Sequence, residues 1–190
     1  MDLLKGEIIK QHCINDNIPL VRDKTIEYIC KIINSNQYCN ILEIGTAYGY
    51  SAYQISLCDC VTKITTIEND EYKHSIAKDY FKNESKIYSI IANCFDYIPT
   101  EKYDLIFLDG PKSHQDKLIE KYIEYLNENG TIIIDNIFLN NIRKIQNKTK
   151  NQQSLIKKID NFKVWLENNK TINVEFLNFD DGIAICKKAT

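Results

Sequence analysis

Residues 41–52 read "ILEIGTAYGYSA", an apolar run that contains the acid Glu43 and leads into two glycines, Gly45 and Gly49. The whole chain has six glycines, so a pair four positions apart behind a strand-like run is a specific arrangement. Glycine lets the backbone turn tightly and approach a ligand closely. The stretch therefore predicts a strand, a tight turn and the start of a helix.

The rest of the sequence alternates between strand-like and helix-like segments. Strands are predicted at 40–45, 63–68, 86–91, 103–109, 130–135, 172–179 and 182–188. Helices are predicted at 2–14, 23–34, 50–58, 70–82, 113–128 and 152–169, with Ser113 as an N-cap. Such alternation is typical of an α/β fold with a mostly parallel, seven-stranded sheet and helices on both faces. Because only "DD" precedes Gly182 between the last two strands, we expect a C-terminal hairpin that makes one strand antiparallel.

Composition indicates an ordinary soluble protein, with 44% hydrophobic and 26% charged residues among 190. We expect a single domain, 1–190, in which 1–22 form an N-terminal helix and a substrate-side segment. No apolar run reaches the roughly 18 residues needed to span a membrane, and the start does not resemble a signal peptide, so the cytoplasm is expected. The seven scattered cysteines favour neither a disulfide framework nor a zinc site.

Charge is unevenly distributed along the chain. Residues 143–170 contain eight basic and two acidic residues, whereas the whole chain carries a net charge of -2. Such a segment is either a solvated helix face or a surface for an anionic partner. Charge alone leaves both interpretations open.

The carboxyl ends of the first two strands indicate a nucleoside-containing ligand, because open α/β sheets bind ligands at such ends. Glu68 ends the second strand, where an acid can accept hydrogen bonds from both hydroxyls of a ribose. The pattern Glu43-x-Gly45-x-x-x-Gly49 has one glycine fewer than a dinucleotide loop and an acid before the turn. A carboxylate there disfavours a pyrophosphate and suits a ligand with an ammonium and a sulfonium. The alternative is a tight turn without a ligand.

Two further strands end in oxygen-bearing side chains, Asp109 on one and Asp135 with Asn136 on the other. If these strands are neighbours, their ends lie about 4.8 Å apart. An all-oxygen set of this kind suits Mg²⁺ or another hard divalent cation, although both acids could be solvated caps. Lys112 follows three residues after Asp109, and a lysine in a partly desolvated site beside a cation can act as a base.

These residues, in this order, resemble the class I S-adenosylmethionine-dependent O-methyltransferases of the cation-dependent, catechol and caffeoyl-CoA type. The resemblance runs from "NIPLVRDKTIEYI" through "EIGTAYGYS", "LDGPK" and "IIIDN" to "DDGIAICKK". It implies a Rossmann-like methyltransferase fold with S-adenosyl-L-methionine and Mg²⁺ as cofactors. The family often forms homodimers.

The resemblance also implies a role for each matching position. The cofactor-binding residues would be Glu43, Gly45, Gly49, Ser51, Glu68, Asn93, Cys94 and Asp109. Asp109, Asp135 and Asn136 match the metal ligands, and Lys112 matches the catalytic lysine. This chain departs from the family where it has Ala92-Asn93-Cys94, since Gly-Asp-Ala is common at the adenine border.

Within the group, the sequence looks most like the bacterial tRNA 5-hydroxyuridine methyltransferases, which act on the wobble position of the anticodon. That resemblance implies a tRNA anticodon loop as the substrate, with Arg143, Lys148 and Lys150 as candidate RNA contacts. A methyltransferase for a small catechol-like phenol would share every motif. A non-catalytic nucleotide-binding or RNA-interaction protein would need no metal site, so the intact acidic set argues against it.

Overall fold

The structure is a computed structural model that describes residues 2–189. Its helices are α1 (Asp2–Asn15), α2 (Asp23–Asn36), α3 (Tyr50–Ser56), α4 (Glu71–Phe81), α5 (Gln115–Tyr122), α6 (Asn140–Arg143) and α7 (Lys150–Asn168). Its strands are β1 (Asn40–Ile44), β2 (Lys63–Glu68), β3 (Ile87–Ile91), β4 (Tyr103–Leu108), β5 (Leu126–Asp135), β6 (Ile172–Leu177) and β7 (Ile183–Lys188).

The seven strands form one sheet in the order β3-β2-β1-β4-β5-β7-β6. The pairs β3-β2, β2-β1, β1-β4 and β4-β5 are parallel, and β7 runs antiparallel to both β5 and β6. The predicted seven-stranded α/β sheet with one antiparallel strand is therefore confirmed. The strand order reverses between β1 and β4, which makes their carboxyl ends the expected ligand site.

Helices cover both faces of the sheet because its central strands are apolar on both sides. Leu105 and Phe107 of β4 pack into the core on the side of α2 and α3, whereas Ile106 and Leu108 pack into the core on the side of α5 and α7. All four side chains are at most 2% exposed. Burial on both faces is the reason that these strands read as continuous apolar runs.

The helix predicted over 113–128 is too long at both ends. Helix α5 ends at Tyr122, a short 3₁₀ turn follows, and Leu126 begins β5, where it pairs with Tyr103. Leu126 is fully buried, so its apolar character fitted either pattern, and pairing with β4 determines that it is a strand residue. His114 rather than Ser113 precedes the helix, and the Ser113 hydroxyl accepts a hydrogen bond from Lys158 instead.

The C-terminal hairpin is present, but its connection spans residues 178–182 and is longer than predicted. Asp180 and Gly182 adopt positive φ angles of 50° and 79°. The Asp180 carboxylate accepts a bond from the Thr25 backbone N–H, and the Asp181 carboxylate accepts one from the Asn141 backbone N–H. These hydrogen bonds connect the loop to α2 and α6. The loop residues therefore do not pair as strand residues.

The turn after β1 requires both of its glycines. Gly45 and Gly49 have φ angles of +105° and +92°, which side chains rarely tolerate. A Cβ at Gly45 would also lie 2.7 Å from the backbone oxygen of Asp109, and one at Gly49 would overlap the Phe81 ring. The predicted tight turn is thus confirmed, and the close approach at Gly45 brings the ends of β1 and β4 together.

Among residues 2–189, every helix is too short or too polar to cross a lipid bilayer.

Candidate active site

A cavity of about 540 Å³ opens at the carboxyl ends of β1, β2 and β4. Its position beside the reversal in strand order is the one that the fold predicts for a ligand. The cavity brings together most of the residues predicted to bind the cofactor, to hold the metal or to act in catalysis. Those in its wall are Gly45, Glu68, Asn93, Cys94, Asp109, Lys112 and Asn136.

Glu68 is fixed in the wall by three backbone N–H groups. Its Oε2 accepts a bond from Ala47 at 2.8 Å, and its Oε1 accepts bonds from Asn69 and Asp70 at 2.9 and 3.0 Å. The side chain is 8% exposed. A carboxylate has about four acceptor sites, so these bonds position Glu68 and still leave it able to accept a ribose hydroxyl.

Glu43 lies beneath the turn and outside the cavity wall. Its fully buried carboxyl accepts hydrogen bonds from the hydroxyls of Ser51, at 2.5 Å, and Thr66. Burial raises the pKa of Glu43 to about 7, and the two hydroxyls oppose that rise. The wall does not include Gly49 or Ser51 either. Direct cofactor contact by these three residues stays a prediction, because none of them lies in the cavity wall.

Asn93 and Cys94 form the far wall, after β3. The Asn93 Oδ1 accepts a bond from the Phe95 backbone N–H at 2.9 Å, and the Cys94 carbonyl accepts one from the Tyr122 hydroxyl at 2.7 Å. Burial raises the pKa of the Cys94 thiol. A hydrogen-bonded turn with a neutral, buried thiol suits a flat, uncharged ring such as adenine, despite the departure from the family pattern.

Lys112 joins the two acidic strand ends. Its Nζ donates to Asp109 Oδ1 at 3.3 Å and to the Asp135 backbone oxygen at 3.2 Å. An ammonium has three N–H donors, so one is left for an acceptor group. β4 and β5 are neighbours in the sheet, which is the condition that the predicted convergence of these side chains requires. The convergence of the three side chains on one cation stays a prediction.

The two carboxyl groups have too little compensating positive charge. Burial raises the pKa of Asp109, and Lys112 opposes that rise. Burial, followed by the charge of Asp109, raises the pKa of Asp135 to about 7. Asp135 is 2% exposed and lies behind Asn136, whose amide nitrogen donates to Asp135 Oδ2 at 3.0 Å.

This donor set fits a hard divalent cation. Its oxygens belong to two carboxylates and one amide, and a cation would supply the positive charge that a single lysine does not provide. Asn136 has a φ of 61°, a left-handed conformation that asparagine tolerates better than most residues and that places it in the cavity wall. Within residues 2–189 no group of three His, Cys, Asp or Glu side chains could hold a metal, so Asn136 would have to contribute.

The predicted RNA contacts lie outside this cavity. Arg143 Nη2 donates to Asp160 at 2.5 Å and its Nε donates to the Phe138 carbonyl at 2.6 Å. Lys148 Nζ donates to the Ile145 carbonyl at 2.5 Å, and Lys150 begins α7. The structure therefore gives Arg143 a structural role between α6 and α7, in addition to any contact with RNA.

Sequence reasoning missed several residues of the wall. Ile18 and Pro19 close the cavity from the segment between α1 and α2, and their extended "NDNIPLV" context was the available signal. Lys73 on α4 also lies in the wall, with its Nζ 3.9 Å from Asp70 Oδ2. In a lysine-rich sequence no pattern distinguishes Lys73 from other surface lysines.

Comparison with known proteins agrees with this geometry. The O-methyltransferase family profile matches residues 2–189. The chain belongs to the O-methyltransferase family. It is a class I S-adenosylmethionine-dependent O-methyltransferase of the caffeoyl-CoA type, as the sequence motifs predict.

Among solved structures, a Staphylococcus aureus protein assigned as a caffeoyl-CoA O-methyltransferase shares 30% identity with this O-methyltransferase. The match has a TM-score of 0.88 and covers 97% of this chain and 92% of that one. The O-methyltransferase from Bacillus cereus, solved with S-adenosylhomocysteine, has a TM-score of 0.81 at 20% identity and covers 97% and 90% of the two chains. At that identity the likeness shows the shared fold.

One curated relative matches over a shorter length. A Thermoplasma volcanium protein named as a cobalt-precorrin-6B C(15)-methyltransferase is 25% identical over 126 residues. This alignment spans 64% of the present chain and 63% of that protein.

Proposed function

We propose that this O-methyltransferase transfers the methyl group of S-adenosylmethionine to the 5-hydroxyl of 5-hydroxyuridine at the wobble position of tRNA, with a divalent cation. The observation that supports the chemistry is the meeting of Lys112, Asp109 and Asn136 in the wall of one cavity with Glu68. The resemblance of the motifs to tRNA 5-hydroxyuridine methyltransferases supports the acceptor.

The cavity suits the proposed cofactor. Glu68 would accept a ribose hydroxyl, Asn93 and Cys94 would border the adenine, and the turn at Gly45 would lie against the methionine part. The buried Glu43 carboxyl would favour the positive charge of the cofactor through its electric field when it is ionised. S-adenosylhomocysteine, the product of methyl transfer, is bound by the Bacillus cereus O-methyltransferase with the same fold.

Glu68→Gln is expected to weaken binding of S-adenosylmethionine about 10- to 100-fold, because it removes the charge from hydrogen bonds to the ribose. Isothermal titration calorimetry measures the affinity. Glu71→Gln, an exposed position at the start of α4, is the matched control and should bind normally. Equal affinities of the two variants would contradict the assignment of Glu68.

The reaction breaks the bond between sulfur and the methyl carbon and forms a bond between that carbon and the acceptor oxygen. The acceptor hydroxyl loses its proton. As a neutral amine, Lys112 would take that proton at its Nζ; as an ammonium, it would instead donate a hydrogen bond to the acceptor oxygen while water takes the proton. The two hydrogen bonds of Lys112, to Asp109 and to the Asp135 backbone, would position its Nζ so that the hydroxyl is held in line with the methyl group. Alignment of this kind supplies a large part of the rate.

Asp109, Asp135 and Asn136 would hold the divalent cation. When bound, the cation would supply positive charge that favours ionisation of the acceptor hydroxyl.

The test of the acceptor uses two substrates with the purified protein. Transfer RNA containing 5-hydroxyuridine and a simple catechol are incubated with labelled S-adenosylmethionine, and the RNA nucleosides are analysed by mass spectrometry. The proposal predicts 5-methoxyuridine in the RNA. A methylated catechol with unmodified RNA would overturn the tRNA assignment and favour the small-phenol alternative, which the Staphylococcus aureus relative's name supports.

Reversing the charges of Arg143, Lys148 and Lys150 to Glu is expected to raise KM for tRNA at least about tenfold and to flatten its salt dependence, because phosphate contacts dominate RNA affinity. Initial rates at several salt concentrations measure both effects. The control carries Glu at the exposed Lys24, Lys31 and Lys187. Since Arg143 also pairs with Asp160, melting temperatures are compared first. Unchanged methylation in a folded triple variant would remove these residues from the RNA surface.

A further inference from the structure

A second cleft, of about 450 Å³, adjoins the cofactor cavity and shares Lys112 with it. One wall is the segment 112–116, which leads from β4 into α5, and the other is a face of α7. The proposed methyl transfer takes place on the cofactor side of Lys112. Anything bound in the second cleft would therefore lie beside the acceptor.

The wall on α7 presents a flat aromatic surface. Trp165 is partly exposed and stacks on the buried Phe162, with ring centroids 5.9 Å apart and planes 14° from parallel. Phe162 thus supports the indole from one side and fixes its plane. An aromatic face beside an open cleft is the kind of surface on which an unpaired nucleic acid base stacks.

The opposite wall contains an unsatisfied polar group. Gln115 is 4% exposed, and its Oε1 is buried with no hydrogen-bond partner among residues 2–189. Buried amide oxygens in folded proteins are nearly always bonded, and leaving one unpaired destabilises the fold. A ligand with an N–H group on the edge of a flat ring would satisfy the Gln115 amide.

The cleft also carries positive charge at its rim. Lys158 is exposed, and its Nζ donates to the Ser113 hydroxyl at 3.2 Å across the cleft. His114 lies beside Ser113, and Asp116 is the one carboxylate in the described wall. Lys158 belongs to the basic segment 143–170, and unlike Arg143 it makes no ion pair within residues 2–189. An anionic group such as a phosphate can therefore reach it.

We propose that this cleft binds the nucleotide next to the one that is methylated, with its base on Trp165, an N–H of its base edge at Gln115 and its phosphate at Lys158. The proposal rests on the proposed function, because it assumes that the acceptor is RNA. It assigns RNA recognition to Lys158 and Trp165, which line the same cleft as Lys112. The candidates Arg143, Lys148 and Lys150 line neither of the two cavities.

The chain has one tryptophan, so intrinsic fluorescence reports directly on the cleft. The protein with S-adenosylhomocysteine is titrated with an anticodon stem-loop RNA that carries uridine at the wobble position and cannot react. Stacking on Trp165 is expected to quench its fluorescence.

Lys158→Glu should weaken the binding about tenfold, as expected for loss of a phosphate contact with charge reversal. The exposed neighbour Lys157→Glu makes the same charge change outside the cleft wall and should bind nearly as tightly as the parent protein.

A second variant separates binding from folding. Gln115→Leu removes the unsatisfied amide from a buried position, so its melting temperature should equal or exceed that of the parent protein. Its affinity for the RNA should nevertheless fall about tenfold, while its affinity for S-adenosylmethionine stays the same. A merely structural role for Gln115 predicts the opposite pattern, in which stability falls and RNA affinity is unchanged.

The outcomes distinguish this proposal from the proposed function. In one outcome, RNA is methylated equally well by Lys158→Glu and Lys157→Glu, and the fluorescence of Trp165 is not quenched. That result would overturn the proposal that the cleft binds RNA and would leave the proposed methylation of tRNA standing. In another outcome, quenching depends on Lys158, but RNA containing 5-hydroxyuridine is not methylated. That result would support RNA binding in the cleft and overturn 5-hydroxyuridine as the methyl acceptor. An absence of any RNA binding would overturn both.

Discussion

Asp135→Asn is expected to lower kcat about 1,000-fold, because it removes one of two carboxylates that would hold the catalytic cation, whose charge stabilisation is worth several kcal/mol. The variant should also be the more stable protein at pH 8 in the presence of a chelator. Its melting temperature should rise by about 3 to 6 °C for a gain of about 1 to 2 kcal/mol. A substitution that lowers activity and raises stability indicates a side chain that serves the function and lowers the free energy of unfolding.

The expected pH dependence of stability follows from the direction in which the pKa of Asp135 is shifted. In the folded chain burial and Asp109 raise the pKa of Asp135 to about 7, compared with an ordinary value of 3.8. The folded state therefore binds this proton more tightly than the unfolded state does, so stability falls as the pH rises through that range. Asp135→Asn should remove this part of the decline, and thermal melts at pH 5 and pH 8 measure it.

Asp96→Ala is a suitable control, since Asp96 is exposed and lies outside the cavity wall. It should leave both kcat and stability nearly unchanged. If Asp135→Asn instead keeps full activity in chelator, the metal assignment of Asp109, Asp135 and Asn136 is wrong.

Lys112→Met is expected to lower kcat about 1,000-fold, within the range for loss of a general base. Methionine keeps much of the length of the side chain and loses the group that bonds Asp109 and the Asp135 backbone. Because the change also removes the ammonium group beside the partly exposed Asp109 and the buried Asp135, S-adenosylmethionine binding and melting temperature are measured beside the rate. Affinity for the cofactor should change little if Lys112 acts mainly on the acceptor.

Lys112→Arg distinguishes two roles of the lysine, namely a base that takes the proton and a positive charge beside Asp109. Arginine keeps the positive charge beside Asp109, but it stays protonated and cannot accept a proton at neutral pH. If Lys112 takes the proton, the arginine variant should be nearly as slow as the methionine variant. Nearly full activity of Lys112→Arg would show that the charge is sufficient and that another group, or water, removes the proton.

The parts of the site that local sequence could predict are those whose chemistry is tied to one strand end. Gly45, Glu68 and Asp109 each follow a strand-like run, and parallel strands bring their carboxyl ends to one edge of the sheet. Their meeting in one cavity was therefore predictable. The direct cofactor contacts predicted for Glu43 and Ser51 stay untested, because the structure places these side chains beneath the turn and outside the cavity wall.

The second cleft was not predictable in the same way. Trp165 belongs to a helix with an apolar stripe, and in the sequence it reads as an ordinary core residue. Gln115 and Lys158 are common residue types at positions 43 residues apart, with no motif between them. Their proximity depends on how α7 packs beside α5, and helix packing depends on side-chain shape across the interface more than on any local pattern.

The order of apolar runs, turns and acids was thus enough to establish an α/β sheet with one antiparallel strand, a glycine turn and an acidic site. These features depend on local periodicity and on backbone conformations that few residues other than glycine adopt. Tertiary packing determined where α5 ends and that Arg143 pairs with Asp160. It also determined that Lys158 is the lysine of the basic segment that shares a cleft with Lys112. Those outcomes depend on contacts between residues far apart in the chain, and the free energy of such contacts is not contained in any short stretch of sequence.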